Sequence, residues 1–263
     1  MTDAFNKPPI FILGCQRSGT SLLRRIIDSH SNIACPPESA FIVQLAKIFE
    51  IKRALQGILY MGFTEADVLK QMRIFTSHFF EKYVLSKKKV RWADKTTHYV
   101  NHMDTIDHMF NGQILYLGII RNGMDVAYSL SQFDWSILDP YMADGTDRLL
   151  AAALFWKDQN QKLLDFSKRV QDRFHLIKYE DLVSSPESIV KAVFDFIDEP
   201  WEPEVLDFQS FQHDKGFEDP EISKFDRIVD DSGLYQKLDT ADQRRLYDEI
   251  REPLESIGYY LKL

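Results

Sequence analysis

The sequence predicts an α/β fold of three layers, with a central parallel sheet and helices on both of its faces. Two observations predict it. Apolar runs of strand length alternate with segments of helical periodicity, a pattern that calls for right-handed crossovers between parallel strands. The first such pair, within residues 8–29, is joined by a short glycine-bearing loop. At 263 residues and 44% hydrophobic content the chain has material for a buried core. It shows no repeats, low-complexity tracts or interdomain linker, so residues 1–263 read as one domain.

The elements follow in order. PPIFILGC, residues 8–15, is an apolar run ended by glycine, and Leu22, Leu23, Ile26 and Ile27 then fall at helical spacing, giving strand, loop and helix. A short strand is expected around residues 32–35. Residues 40–86 are helix-rich, with Thr64 as an N-cap and Asp67 three residues on, and this stretch is expected to cover the site. Further strands are predicted at residues 90–93, 113–120 and 174–178. Residues 149–170 form a long helix, and Ser185-Pro186 opens another with proline at its first position. Thr240 and Gln243 suit the start of the last helix, which Gly258 can end. Between these helices, residues 208–233 are polar and glycine-bearing and read as a long loop.

Composition removes several classes of function. No apolar run approaches the roughly 20 residues of a membrane helix, so membrane insertion is not expected. The leading MTDAFNKPP has no apolar stretch of the secretory kind, which points to the cytoplasm. Cys15 and Cys35 are too few for a disulfide framework or a four-ligand zinc site and read as small buried residues. A formal net charge of −8 argues against nucleic acid as a partner, so an anionic ligand must meet a local basic pocket.

Such a pocket is suggested by GCQRSGTSLL, residues 14–23. A loop between a buried strand and a helix directs backbone N–H groups outward, and the helix dipole adds partial positive charge, so phosphate oxygens are held well there. The loop has the spacing of a P-loop, Gly14-x-x-x-x-Gly19, but Thr20 and Ser21 follow where a kinase has lysine. The cation sits within the loop instead, at Arg17. The strand ILYLGIIR ends in Arg121 and not in a magnesium-holding aspartate, so no metal is expected. Without a ligand the same loop is simply a glycine-bearing turn.

Arg121 stands at the carboxyl end of a predicted central strand, the edge where open α/β sheets bind ligands, and Ser129 follows on the next helix. The two can clasp a second phosphate. Alternatively Arg121 pairs with a carboxylate such as Asp125.

With both motifs in view, the sequence resembles the sulfotransferase family that uses 3′-phosphoadenosine-5′-phosphosulfate (PAPS). QRSGTSLL resembles that family's 5′-phosphosulfate loop, and RNGMDVAYS, residues 121–129, its 3′-phosphate motif. PPES at 36–39, DKTTHY at 94–99 and KYEDL at 178–182 fit the family's order, so the resemblance covers residues 8–200. It is closer to the tyrosylprotein and bacterial branch than to the cytosolic phenol and steroid branch, whose loop carries lysine and whose base is histidine. An RKGxxGDWK-like segment is absent.

The resemblance implies a P-loop NTPase-like fold, PAPS as co-substrate and its bisphosphate, PAP, as product. It implies that Arg17, Ser18, Gly19, Thr20 and Ser21 hold the 5′-phosphosulfate, Arg121 and Ser129 the 3′-phosphate, and that Tyr179 lies near the adenine. Glu38 matches the acceptor-activating glutamate and Lys95 a lysine near the transferring group, with Arg17 and Lys95 meeting the charge that develops there. Lys224, in ISKF, is a further candidate cofactor contact.

From the residues alone Glu38 also reads as an acid opening a helix at Ser39, where it meets the dipole, and His98 is a rival base. The acceptor is a small molecule, a glycan or a peptide. Phe41, Phe49, Tyr60, Phe63, Phe75, Phe79 and Phe80 either line its pocket or belong to the core. Two other readings compete: a metal-dependent small-molecule kinase, and a nucleotide-binding protein without turnover.

Overall fold

A computed structural model of the chain describes residues 7–219, 221–222 and 227–261. The first strand, β1 (Ile10–Leu13), is wholly buried, and its alternation creates the layers. Ile10 and Ile12 face one core with Leu23, Ile26 and Ile27 of helix α1 (Thr20–Ser29), while Phe11 and Leu13 face the other. The chain continues through β2 (Ile33–Ala34), α2 (Phe41–Glu50), α3 (Lys52–Leu59), α4 (Glu65–Ser86) and β3 (Arg91–Lys95). Then come α5 (Met103–Met109), β4 (Leu115–Ile120), α6 (Gly123–Ser131), α7 (Arg148–Val170) and β5 (Phe174–Lys178). Helices α8 (Tyr179–Ser184), α9 (Pro186–Phe196) and α10 (Thr240–Ser256) complete it.

The five strands are all parallel, in the order β2-β3-β1-β4-β5. Helices α1, α8 and α9 supply one flanking core, and α2, α4, α5 and the second half of α7 the other. A third apolar cluster joins α6, α7 and α10 beside the sheet. This is the three-layer arrangement that the alternating pattern predicts. Among the described residues no helix is long and apolar enough to cross a membrane.

Local signals act as their chemistry dictates in most places. Thr64 and Asp67 form a reciprocal capping box at α4: the Thr64 hydroxyl accepts from Asp67 N at 3.2 Å and the Asp67 carboxylate from Thr64 N at 2.9 Å. At α10 the cap is Asp239 and not Thr240, its carboxylate accepting from Asp242 N at 2.8 Å. Past the end of α10, Gly258 takes a left-handed φ of 82°, and the N–H groups of Gly258 and Tyr259 reach Glu255 O and Leu254 O, both at 3.0 Å.

Two segments differ from expectation. β3 runs on through Asp94 and Lys95, whose polarity hides a strand that is buried along its whole length. Phe208 belongs to the core at the end of a 3₁₀ helix, Pro203–Ser210, and the irregular segment begins after it. Burial pushes both cysteine thiols well above their usual range, as fits small buried residues.

The parallel topology gathers the carboxyl ends of β1, β3, β4 and β5 at one edge of the sheet. The glycine-bearing loop, Lys95, Arg121 and Tyr179 are all delivered there.

Candidate functional site

The loop between β1 and α1 turns tightly: Ser18 N donates to Cys15 O at 3.2 Å, and α1 begins only after Gly19. Two of its residues are left-handed, Arg17 at φ 68° and Gly19 at φ 93°. Gly19 has no room for a side chain, because a Cβ there would lie 2.5 Å from Tyr179 Cδ2. Gly19→Ala should therefore lower stability by at least about 1–2 kcal/mol, the cost of a left-handed L-residue before the clash is added. Gly57→Ala in α3 provides the contrast, since its Cβ would meet nothing within 4 Å, and it should be neutral or stabilising. Urea midpoints of the two variants measure the difference.

Arg17 turns its guanidinium toward α6. Its Nε donates to Ser129 Oγ at 2.9 Å, its Nη1 donates to Asp219, and its Cζ stands 5.0 Å from the centre of the Phe133 ring. Arg121 follows β4 directly and is nearly buried. Its Nη1 donates to Arg17 O at 3.3 Å and its Nη2 to Asp231 O at 2.8 Å, with the Asp231 carboxylate 3.1 Å away. Trp156 of α7 fixes this backbone by donating from Nε1 to Arg121 O at 3.1 Å. The partner of Arg121 is thus Asp231 and not Asp125, whose carboxylate accepts instead from Gly233 N and Tyr235 N at 2.8 and 3.0 Å.

Tyr179 lies beneath both elements. The Arg121 guanidinium is 4.3 Å from its ring centre, and its hydroxyl donates to Asp231. Burial pushes this hydroxyl well above its usual range, with Arg121 opposing, so it remains a donor.

At the end of β3, Lys95 is 1% exposed and donates from Nζ to Glu38 at 2.8 Å and to Ser21 Oγ at 3.4 Å. Glu38 does not open a helix, because α2 starts at Phe41 after a left-handed Ala40. It projects from a turn whose Glu38 N–H donates to Phe217 O at 2.9 Å. His98, in the 3₁₀ segment Thr97–Asn101, is exposed and lines the same space.

These side chains surround one cavity of about 460 Å³, which Arg17, Arg121, Lys95, Glu38, His98 and Tyr179 all line. Gly19, Thr20 and Ser21 line it as well, whereas Ser18 lies buried within the loop. Lys224 falls outside the described residues. The aromatic residues of the 40–86 stretch are not in the lining: Phe80 is core, Phe41 and Phe49 pack beside it, and Tyr60, Phe63, Phe75 and Phe79 are exposed. The cavity takes its aromatic surface from Trp135, Tyr179, Phe208 and Phe217 instead.

The acidic residues of the late segment escaped the sequence reading. Asp219 meets Arg17, Asp231 meets Arg121, and Glu218 meets both Arg24 and Arg25, at 2.6 and 3.0 Å. The acid-rich FEDPE, residues 217–221, and the Asp230-Asp231 pair are the signals that could have shown them.

Comparison with known proteins bears on this arrangement. The pattern described as the sulfotransferase family matches residues 8–203. The chain belongs to the sulfotransferase family. The chain is 23% identical over 216 residues to a protein-tyrosine sulfotransferase of Drosophila melanogaster, covering 78% of this chain and 40% of that protein. The chain spans 27% to 54% of the length of three curated relatives that it matches. Its fold is shared with the sulfotransferase domain of the Synechococcus PCC 7002 olefin synthase, at TM-score 0.67 and 21% identity over 98% of this chain and 97% of that one. It is also shared with a mouse sulfotransferase complexed with PAP, at TM-score 0.51 and 13% identity over 96% and 87% of the two chains.

Proposed function

We propose that this sulfotransferase moves a sulfuryl group from PAPS to an acceptor hydroxyl or amine by in-line transfer. One observation carries the reading: Arg121 is in contact with the Arg17 backbone, and both arginines line the same cavity. Arg17 touches Ser129 at 2.9 Å, Arg121 touches the Arg17 carbonyl at 3.3 Å, and both face one cavity. A ligand with an anion at each end of one adenosine meets that demand, and about 460 Å³ lies within the ordinary range for such a site.

The residues fit the ligand in chemistry as well. Ser18 Oγ and Arg121 Nε are buried and have no hydrogen-bond partner among the described residues, an expensive state that an anion relieves. In this reading Arg17, Ser18, Gly19, Thr20 and Ser21 hold the 5′-phosphosulfate, Arg121 and Ser129 hold the 3′-phosphate, and Tyr179 packs near the adenine. The donor supplies a sulfuryl group on a stable leaving phosphate. Arg17 and Lys95 offset negative charge at the reacting end, and Glu38 takes the proton of the acceptor hydroxyl. Asp219 and Asp231 give up their guanidinium partners when phosphate oxygens arrive.

The kinase reading rests on the same loop, yet Thr20 stands in the lysine position and β4 leads into Arg121. Titration calorimetry separates the two. 3′,5′-Adenosine bisphosphate is expected to bind at least about 10-fold more tightly than ATP with Mg²⁺, a gap of about 1.4 kcal/mol. The opposite order would replace the proposed donor with a nucleoside triphosphate.

A further inference from the structure

We infer that Asp94 is a positioning residue for Glu38, acting through Ser39; this rests on the reading of Glu38 as the base. Asp94 and Lys95 are adjacent at the end of β3, so they point to opposite faces of the sheet. Between them they grip one turn. Lys95 holds Glu38 at 2.8 Å from the cavity side, and Asp94 holds the next residue from the other, accepting from Ser39 Oγ at 2.6 Å. The Tyr99 hydroxyl donates to the same Asp94 oxygen and lies 3.2 Å from Ser39 Oγ, closing a triangle. Thr96 Oγ1 accepts from Ala40 N at 3.4 Å, beside the left-handed Ala40 that lets the turn reach α2.

An aspartate is a costly choice at this place. Asp94 is fully buried, and its second oxygen has no hydrogen-bond partner among the described residues. Burial pushes its carboxyl up to about 6, hydrogen bonds from Ser39 and Tyr99 pulling the other way. The titratable groups around it are Glu38, Lys95, Tyr99 and Cys35. A folded value above the ordinary 3.8 means that the stability the protonated form contributes is lost as pH rises through about 6. At pH 8 the ionised group thus opposes folding. Its return is geometric: a charged acceptor makes the stronger hydrogen bond, and that bond fixes the turn from which Glu38 extends. Glu38 is otherwise a flexible side chain on a loop, and misplacing a reacting group by about 1 Å costs about 100-fold in rate.

The test uses the full chain at pH 8 with ³⁵S-labelled PAPS. It follows release of inorganic sulfate, where water replaces the acceptor, and transfer to phenol, octanol and glucose. Ser39→Ala and Asp94→Ala should each lower kcat about 10- to 100-fold, with the affinity for 3′,5′-adenosine bisphosphate within about threefold of the original chain. The double variant should be no slower than the slower single one, because both remove one link. Asp94→Asn keeps an acceptor oxygen and removes the buried charge, so it should recover part of the turnover that Asp94→Ala loses and melt at a higher temperature than the original chain. Ser39→Ala with full turnover, multiplying losses in the double variant, or losses of kcat matched by equal losses of nucleotide affinity each overturn the inference. An active Glu38→Ala overturns the base reading and this inference together. An inactive Glu38→Ala beside a fully active Ser39→Ala overturns this inference alone.

Discussion

Replacing Arg121 with alanine is expected to weaken binding of 3′,5′-adenosine bisphosphate by about 100-fold, while binding of adenosine 5′-monophosphate changes by no more than about threefold. The size follows from loss of charge-assisted hydrogen bonds to phosphate at a nearly buried site, each contributing about 1.5–3 kcal/mol. A second effect has the same sign. Without Arg121 the Asp231 carboxylate, 3.1 Å away, loses its counter-ion and faces the incoming 3′-phosphate as a like charge. The monophosphate has no 3′-anion, so it isolates this interaction from any general disturbance. Parallel losses for both nucleotides would assign Arg121 to holding the loop through Arg17 O and Asp231 O. Arg121→Lys should fall between, since an ammonium is a point charge and lacks the planar fork.

What the sequence made legible here was whatever repeats at short range. β1 through α1 follows from one apolar run, one loop and one periodic segment, and the spacing that places Arg17 ahead of α1 is visible in the same ten residues. The parallel order follows from alternation, and parallel order alone delivers Lys95, Arg121 and Tyr179 to one edge. The adjacency of the two arginines needed no more than that.

Pairings across the chain were not legible. Arg17 meets Asp219 at a separation of 202 residues, and no periodicity encodes such a partner. Arg121 and Asp125 have the spacing of a helical pair, but Arg121 precedes α6, so the four-residue rule does not apply and Asp125 instead receives the N–H groups of Gly233 and Tyr235. Asp94 was hidden for a related reason. Polar residues at a strand end read as the strand's boundary, whereas here they are its chemical terminus. The aromatic residues of α4 misled differently: helical spacing puts Phe75 and Phe79 on one side with Phe41, and only the packing shows that this side is neither core nor cavity.

Glu38→Ala is expected to lower sulfuryl transfer by about 10²- to 10⁴-fold, the usual contribution of a positioned base, with affinity for 3′,5′-adenosine bisphosphate equal to or tighter than that of the original chain. The direction of the binding change follows from Lys95. Its ammonium is 1% exposed and 2.8 Å from Glu38, so removing the carboxylate leaves a buried cation beside the anion cradle with only Ser21 Oγ, at 3.4 Å, as a described partner. An anionic ligand then gains an interaction that Glu38 had occupied. Because alanine removes both base and ion pair, Glu38→Gln decides between them: its amide oxygen still accepts from Lys95, but it takes no proton. Equal inactivity of the two variants, measured as label transferred to any of the three acceptors or to water, assigns the proton to Glu38. Retained turnover in Glu38→Gln together with its loss in His98→Ala moves the role to His98, which lines the same cavity from the exposed side.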